Sequence, residues 1–484
     1  MNPLLATFIC ACGVAGLFYL DREKTVRTSK GLWLPALYLW IIGSRPLSFW
    51  LGITPASGTN VQLEGSPVDA AFFAALLIAA IGVLIRRKKK VRNLLVANGP
   101  ILIYLLYCLI SASWSDHPDV SLKRWIKATN DLLMALIVVT DGHPIVAIKR
   151  LVSRVGFILL PTSVLFIKYY GDLGRAYSPD GLQTTTGVTD NKNTLGVVLL
   201  IVSLAAVWNL LTLLMAKNQP DRRRHLIAQG VLLAFGLTLL HMAQSATSLA
   251  CFLLGCGLIL ATSHRCFRGR AGRVQLLCSG LVLVGVLTFF MTGQDDVANA
   301  LGRDSTLSGR TAIWAALIPT VPNPLIGAGF ESYWISSAPE IAWHTLSQLG
   351  WWHPEILVPE AHNGYIEIFL NLGWVGVALI SIVLISGYRR AIEAFRIYPA
   401  VGSLTLAYLM ASATYSITEA GFRSLDPIWV VLLMSIFTST AVVTGMIDPS
   451  GVRTKRVLRN AKFAPQGSEL EEPISELHTL VANR

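Results

Sequence analysis

Charge is what this sequence has least of. Only 14% of its 484 residues are Asp, Glu, Lys or Arg, and 53% are hydrophobic. Soluble domains carry about 25% charged residues, so a shortfall spread over the whole length excludes an ordinary water-soluble chain. Cysteine is also scarce: of the seven, most sit inside apolar runs and none falls between Thr292 and His362. That argues for buried free thiols and against a disulfide framework. A Walker-type phosphate loop and a dinucleotide fingerprint are both missing, which excludes a nucleotide-driven pump. Neither a sequence repeat nor a low-complexity tract is present. His344, His353 and His362 are spaced too widely for a compact metal-ligand motif, so no metal and no cofactor is expected.

What is there is a succession of apolar runs, near 3–20, 32–53, 68–85, 94–113, 125–140, 147–169, 194–215, 227–243, 246–263, 274–292, 363–387, 399–417 and 427–446. At about 20 residues per span they predict an all-α polytopic membrane protein with about 12–13 transmembrane helices, within a range of about 10–14. The first run lacks a basic n-region and reads as a retained span. The net charge of +12 lies in short clusters between runs, as in cytoplasmic loops and unlike a nucleic-acid groove. With Arg86–Arg92 placed inside, alternation also puts inside Arg22/Lys24/Arg27/Lys30, Lys149/Arg150, Lys217/Arg222–Arg224, Arg265–Arg273, Arg389/Arg390/Arg396 and Arg453–Arg456. The other face receives Lys123, Arg124, Lys127, Lys168, Arg175, Lys192, Arg303, Arg310 and Arg423, with Arg45 near it. The N-terminus then lies outside and the C-terminus inside. The expected division is an N-terminal bundle (1–292), a large outer loop (293–362), C-terminal helices (363–447) and a polar cytoplasmic tail (448–484). Within the loop, Ser308 is placed to cap a helix over 309–318 whose face of Ile313, Trp314, Leu317 and Ile318 suits the membrane interface.

Arginines are few on the outer face. Arg175 and Arg310 could grip a diphosphate through their planar forks or simply anchor to headgroups. Asn363, Glu367 and Asn371 are spaced i, i+4, i+8, a polar stripe on an apolar helix. His362 at its start is a residue type suited to general-base work. The plainer reading has His362 and Asn363 capping the helix and Glu367 bonding a neighbouring span. Lys192 and Asn193 mark a third helix start, apt for anions or for capping alone.

Several short motifs, in order, carry a resemblance. They are Trp114-Ser115, Asn191-Lys-Asn193-Thr-Leu-Gly196, Ser245 in Gln-Ser-Ala-Thr, Ser308-Gly-Arg310 followed by Trp314, Asn323-Pro-Leu-Ile-Gly-Ala-Gly329, His362-Asn-Gly-Tyr365 running into Asn371-Leu-Gly373, and Thr418-Glu419. Over roughly residues 100–440 the chain resembles the O-antigen ligase-like superfamily of O-antigen ligases, O-antigen polymerases and exopolysaccharide polymerases. The resemblance implies an all-helical fold related to membrane glycosyltransferases. It implies an inner-membrane enzyme, free of metal and nucleotide, whose site faces the periplasm. The donor would be a polyprenyl-diphosphate-linked glycan. The acceptor would be a lipid-linked glycan, in a polymerase working with a chain-length regulator, or lipid A-core, in a ligase. Carried over, His362, Arg310 and Arg175 are the catalytic residues expected, with Lys192, Asn193, Asn363, Tyr365 and Glu367 on the substrate side. Lys192-Asn193, in place of a Pro-Asn pair, leans towards the exopolysaccharide polymerases. A flippase or other transporter, and a non-catalytic envelope scaffold, are the competing classes; the missing inverted repeat and the outer Arg/His set speak against them.

Overall fold

A computed structural model describes residues 2–23, 26–53, 66–177, 181, 183–215, 221–267, 269–292, 306–348 and 360–448. His353, Arg303 and nearly all of the polar tail lie outside them. Each of the thirteen apolar runs contains a helix: α1 (Pro3–Leu20), α2 (Trp33–Ile42), α3 (Pro67–Ile85), α4 and α5 (Lys88–Ala97 and Gly99–Ser111), α6 (Pro118–Val139), α7 (Pro144–Tyr169), α8 (Lys192–Met215), α9 (Arg222–Ala243), α10 (Ala246–Ser263) and α11 (Ala271–Thr292). After α12 (Thr306–Leu317) and α13 (Ala338–Gln348) come α14 (Gly364–Ile397), α15 (Pro399–Thr418) and α16 (Pro427–Val443). Proline opens many of them: Pro3, Pro67, Pro118, Pro144, Pro399 and Pro427 each take the first helical position, where the missing N–H would have no partner anyway. The protein is an all-α polytopic membrane protein. Among the described residues eight helices are long and apolar enough to cross a bilayer, nine if the bent α4–α5 pair is one span.

Polar contacts sort the connections into two sets. At one end, Arg87 donates to Ser29 and Thr140, Arg150 to Thr28 and Val26, and Arg224 to the Tyr19 carbonyl. There too Lys149 donates to Thr212, Trp208 to Ala400, and Arg390 to Ala97 and Thr440. At the other end, Arg45 donates to Leu173 and Thr189, Ser115 to Ser332, and Ser424 to Glu331. These pairings reproduce the alternation read from the basic clusters. The α4–α5 pair bends by 86° at Asn98, whose amide donates to Leu94 and accepts from Thr440. That turns Lys88–Ala97, basic on one side and apolar on the other, across the end of the bundle. Helix α16 is the most enclosed, with every residue but Val443 buried, and the apolar stretches of α8 and α15 are 78% buried, while those of α1 at 11% and α3 at 17% lie at the periphery.

Three sequence expectations are corrected. The helix expected from Gly309 starts at Thr306, so Ser308 lies inside it and cannot cap it. That helix is also no lone interfacial element. Trp314 and Leu317 pack with Tyr333, Ala338, Ala342, Phe369 and Leu370 into a small core shared by the long loop and the start of α14; only Ile318 of the expected apolar face is exposed. Finally, the run 363–387 is not one regular helix: α14 is broken at Gly373, with φ 62° and ψ −164°.

Reporter fusions test the two-ended arrangement. Fusions after Arg224 and Arg396 are expected to report one compartment, and fusions after Ala338 and Ser424 the other. A shared reading from Arg396 and Ala338 would contradict the fold.

Candidate functional site

The site begins with the break in α14. A helix interrupted at Gly373 leaves carbonyls and amides that hydrocarbon cannot satisfy. The segment Asn323–Gly329 satisfies them. The amides of Ala328 and Gly329 donate to the Leu370 and Asn371 carbonyls, and those of Trp374 and Val375 donate to Pro324 and Leu325. This is the structural work of the Asn-Pro-Leu-Ile-Gly-Ala-Gly motif. Gly373 occupies a backbone region open in practice only to glycine, and a Cβ there would lie 2.3 Å from the Leu325 carbonyl. Gly327 is similarly pressed, its Cβ position 2.4 Å from the Asn371 backbone.

The polar stripe of α14 secures the loop from below. Asn363 is the N-cap, its side chain accepting from Tyr365 and Ile366 amides. Glu367 accepts from Trp334 Nε1 at 2.8 Å and from the Ala361 amide at 2.5 Å. Asn371 accepts from the Tyr333 amide and donates to the Glu367 carbonyl. All three are buried. Tyr365 donates to the Ala413 carbonyl at 3.1 Å and packs edge-on against Phe422. Asn363, Tyr365 and Glu367, expected on the substrate side, thus bond inward in this structure, because the loop needs anchors where it meets the helix.

Above this base runs a row of alternating charges. Arg423 donates to Glu360 at 2.9 Å. The Nδ1 of His362 lies 3.1 Å from Glu360 and 3.3 Å from Glu419. Glu419, at the end of α15, accepts from Arg310 at 3.0 Å, and Arg310 also donates to the Thr418 carbonyl. Glu419 is nearly buried, its side chain 6% exposed, while those of His362 and Arg310 are 21% and 22% exposed. Two carboxylates facing Nδ1 make it the protonated nitrogen and leave Nε2 with the lone pair in the neutral ring. Nε2 has no partner among the described residues. His362 sits at φ 48°, and nearby Glu331 and Leu425 at φ 49° and 61°; strain of this kind concentrates at functional sites. Asp426, between α15 and α16, caps the latter. Burial pushes its carboxyl up to about 7, against the pull of the Ile428 amide and of Arg423.

The ligand atoms of Glu360, His362 and Glu419 lie within 4.8 Å of one another, so these three could hold one cation. Each carboxylate already has a guanidinium beside it, so the arrangement reads as a hydrogen-bonded row completed by its own cations. His344 takes no part in that group.

Arg175 lies elsewhere. Its Nε donates to the Ile167 carbonyl at 3.0 Å in a short hairpin of β1 (Arg175–Tyr177) and β2 (Gln183–Thr185). No bond among the described residues joins it to Arg310 or His362. Lys192 and Asn193 start α8. Gly196, one turn on, abuts Ser245 and Ser248, and Thr247 bonds Thr418 at 2.9 Å. The start of α8 therefore stands beside the end of α15 that carries Glu419, with Lys192 exposed. Glu360, Glu419 and Arg423 were missed as site residues. In the sequence Thr418-Glu419 stands out only as a motif.

Residues 230–381 match the family model described as O-antigen ligase. Over those residues the chain is similar to the O-antigen ligase family. The match takes in Arg310, the Asn323–Gly329 motif, His362 and the break at Gly373; Arg175, Lys192, Glu419 and Arg423 lie beyond it. Among relatives, the "Exopolysaccharide production protein ExoQ" of Rhizobium meliloti (strain 1021) is 27% identical over 298 residues, 60% of this chain and 64% of that protein. The alignment thus spans slightly less than two thirds of the relative's length.

If the paired backbone at Gly373 holds the family motifs in place, Gly373→Ala should sharply reduce the amount of folded protein in the membrane. Gly280→Ala, where a Cβ meets nothing within 4 Å, should not. Equal abundance of the two variants would contradict this assignment.

Proposed function

We propose that this protein is a glycosyltransferase that joins lipid-linked glycans at the periplasmic face of a bacterial inner membrane. The observation that carries the proposal is the row Arg423–Glu360–His362–Glu419–Arg310, which leaves one imidazole nitrogen free beside fixed cations. The basic clusters at the opposite end of the bundle support a cytoplasmic placement for that end and a periplasmic one for the row.

The donor is a glycan attached through C1 to a polyprenyl diphosphate. Arg310, with Arg175, binds the diphosphate and offsets the charge that grows on it as the C1–O bond breaks. His362 Nε2 accepts the proton of the acceptor hydroxyl as its oxygen bonds to C1. The diphosphate leaves with the bonding electron pair. Glu419 and Glu360 hold the ring in the tautomer this requires and stabilise the imidazolium formed, the part a carboxylate plays behind a catalytic histidine. A diphosphate is a good leaving group, so positioning and electrostatics suffice without a metal or nucleotide. One displacement at C1 inverts the anomeric centre. Lys192 and Asn193, at the start of α8, face the glycan side.

The named role of the relative in exopolysaccharide production supports a polymerase, whose acceptor is a second lipid-linked glycan and whose partner is a chain-length regulator. The description of the family model supports the alternative, a ligase acting on lipid A-core. The residues given roles are the same in both.

The test is turnover by the purified protein of a lipid-linked oligosaccharide with a chelator present and no ATP. His362→Gln should fold, still bind donor and lose transfer by about 10²–10⁴-fold, as expected for an acid–base group. Arg310→Lys should rescue poorly, because a point charge cannot copy a planar fork. Near-normal transfer by His362→Gln would remove the base from the mechanism.

A further inference from the structure

The turn between α15 and α16 brings two members of the charged row, Glu419 and Arg423. Arg423 ends the row: its side chain is 44% exposed and reaches Glu360 at 2.9 Å. A pair so open to solvent contributes little by itself and does not fix its own geometry. The aim of Arg423 is therefore set by the backbone that bears it. The next two residues, Ser424 and Leu425, are gripped by carboxylates that the transfer mechanism does not use.

Glu331 takes both donors of Ser424, the amide at 2.8 Å on one oxygen and the hydroxyl at 2.9 Å on the other. Asp131, fully buried on α6, accepts from the Leu425 amide at 3.2 Å on one oxygen and from the Tyr38 hydroxyl of α2 at 2.5 Å on the other. A carboxylate enclosed among membrane helices is costly and is kept for the partner it serves. Leu425 has φ 61° and Glu331 φ 49°. Side chains with a Cβ seldom enter that region, and such conformations persist only where surrounding bonds enforce them. Glu331 is itself well anchored. Arg124 donates to its carbonyl. Phe330 before it donates to Ser111 and accepts from Ser121, and Ser332 after it accepts from Ser115. Arg124 and Asp131 are seven residues apart, on one face of α6. That helix thus grips the turn twice, directly through Asp131 and indirectly through Glu331.

We infer that Glu331 is a positioning residue for the transfer reaction: with Asp131 it locks Ser424 and Leu425 so that Arg423 meets Glu360, which in turn faces His362. Among the described residues Glu331 makes no hydrogen bond to the row itself, so it acts through the turn. Without its grip Arg423 swings out into solvent, Glu360 loses its cation, and the imidazole loses a fixed neighbour. This rests on the proposed transfer reaction and deepens it.

The experiment measures two things on purified full-length variants: turnover of a lipid-linked oligosaccharide per folded molecule, and hydrogen exchange at the Ser424 and Leu425 amides. Glu331→Ala should lower kcat by about 10²-fold, the loss expected when a reacting group is misplaced by ~1 Å, and leave the donor KM within ~3-fold. Glu331→Gln can accept from the Ser424 amide and donate to its hydroxyl, so it should retain most of the rate. Arg423→Ala should lose about as much as Glu331→Ala, and combining the two should cost little more, since nothing is left to aim. Exchange should quicken in Glu331→Ala and stay slow in Glu331→Gln. Should Glu331→Ala not fold, Glu331→Asp, one methylene too short to reach Ser424, decides in its place. Near-normal kcat with less folded protein, losses that multiply in the double variant, or unchanged exchange would each overturn the inference. Exchange is read without turnover, so quickened exchange in Glu331→Ala of a protein whose wild type transfers no glycan would leave the grip on the turn standing and sink the proposed reaction instead.

Discussion

A helix that breaks inside a membrane protein needs somewhere to send its backbone hydrogen bonds. Here the segment Pro324–Gly329 supplies them, pairing with Leu370–Val375 on both sides of Gly373. Much of what surrounds the site follows from this pairing. It draws the long loop down onto α14, lets Tyr333 and Trp334 reach Asn371 and Glu367, and allows α12 to pack through Trp314 and Leu317. Arg310 is on α12, and through that packing it comes to Glu419 at the end of α15. Broken helices are also used by transporters, but here the exposed backbone groups are paired with the protein's own loop.

The polar groups divide by burial. Asn363, Glu367 and Asn371 are enclosed and bonded inward, so they hold shape. Arg310, His362, Glu360 and Arg423 keep part of their surface open and exchange charge with one another. Glu419 stands between the two kinds: it is nearly buried, yet each of its oxygens serves a residue of the row. A phosphate arriving at Arg310 would compete with Glu419 for the same guanidinium, which ties donor binding to the setting of the histidine.

The sequence made the helices and their alternation legible, because span length and the placement of basic residues are composition-level signals. Arg310 and His362 stood out because outer-facing charge is rare in this chain. Glu419 did not, since a carboxylate closing an apolar run looks like any helix end, and its partners lie 109 and 57 positions away. The break at Gly373 was invisible for a similar reason: hydropathy runs through it without interruption, and only backbone pairing with Leu325 reveals it. The polar stripe is legible as a stripe, but its spacing does not show the inward bonds that Glu367 and Asn371 make to the loop.

The central claim is a single displacement at C1 with His362 as base and the diphosphate as leaving group. The configuration of the new glycosidic bond tests it most directly. NMR of the product, set against the configuration at C1 in the diphosphate donor, should show inversion. Retention would require a second displacement and a covalent or ion-paired intermediate, and would contradict the account.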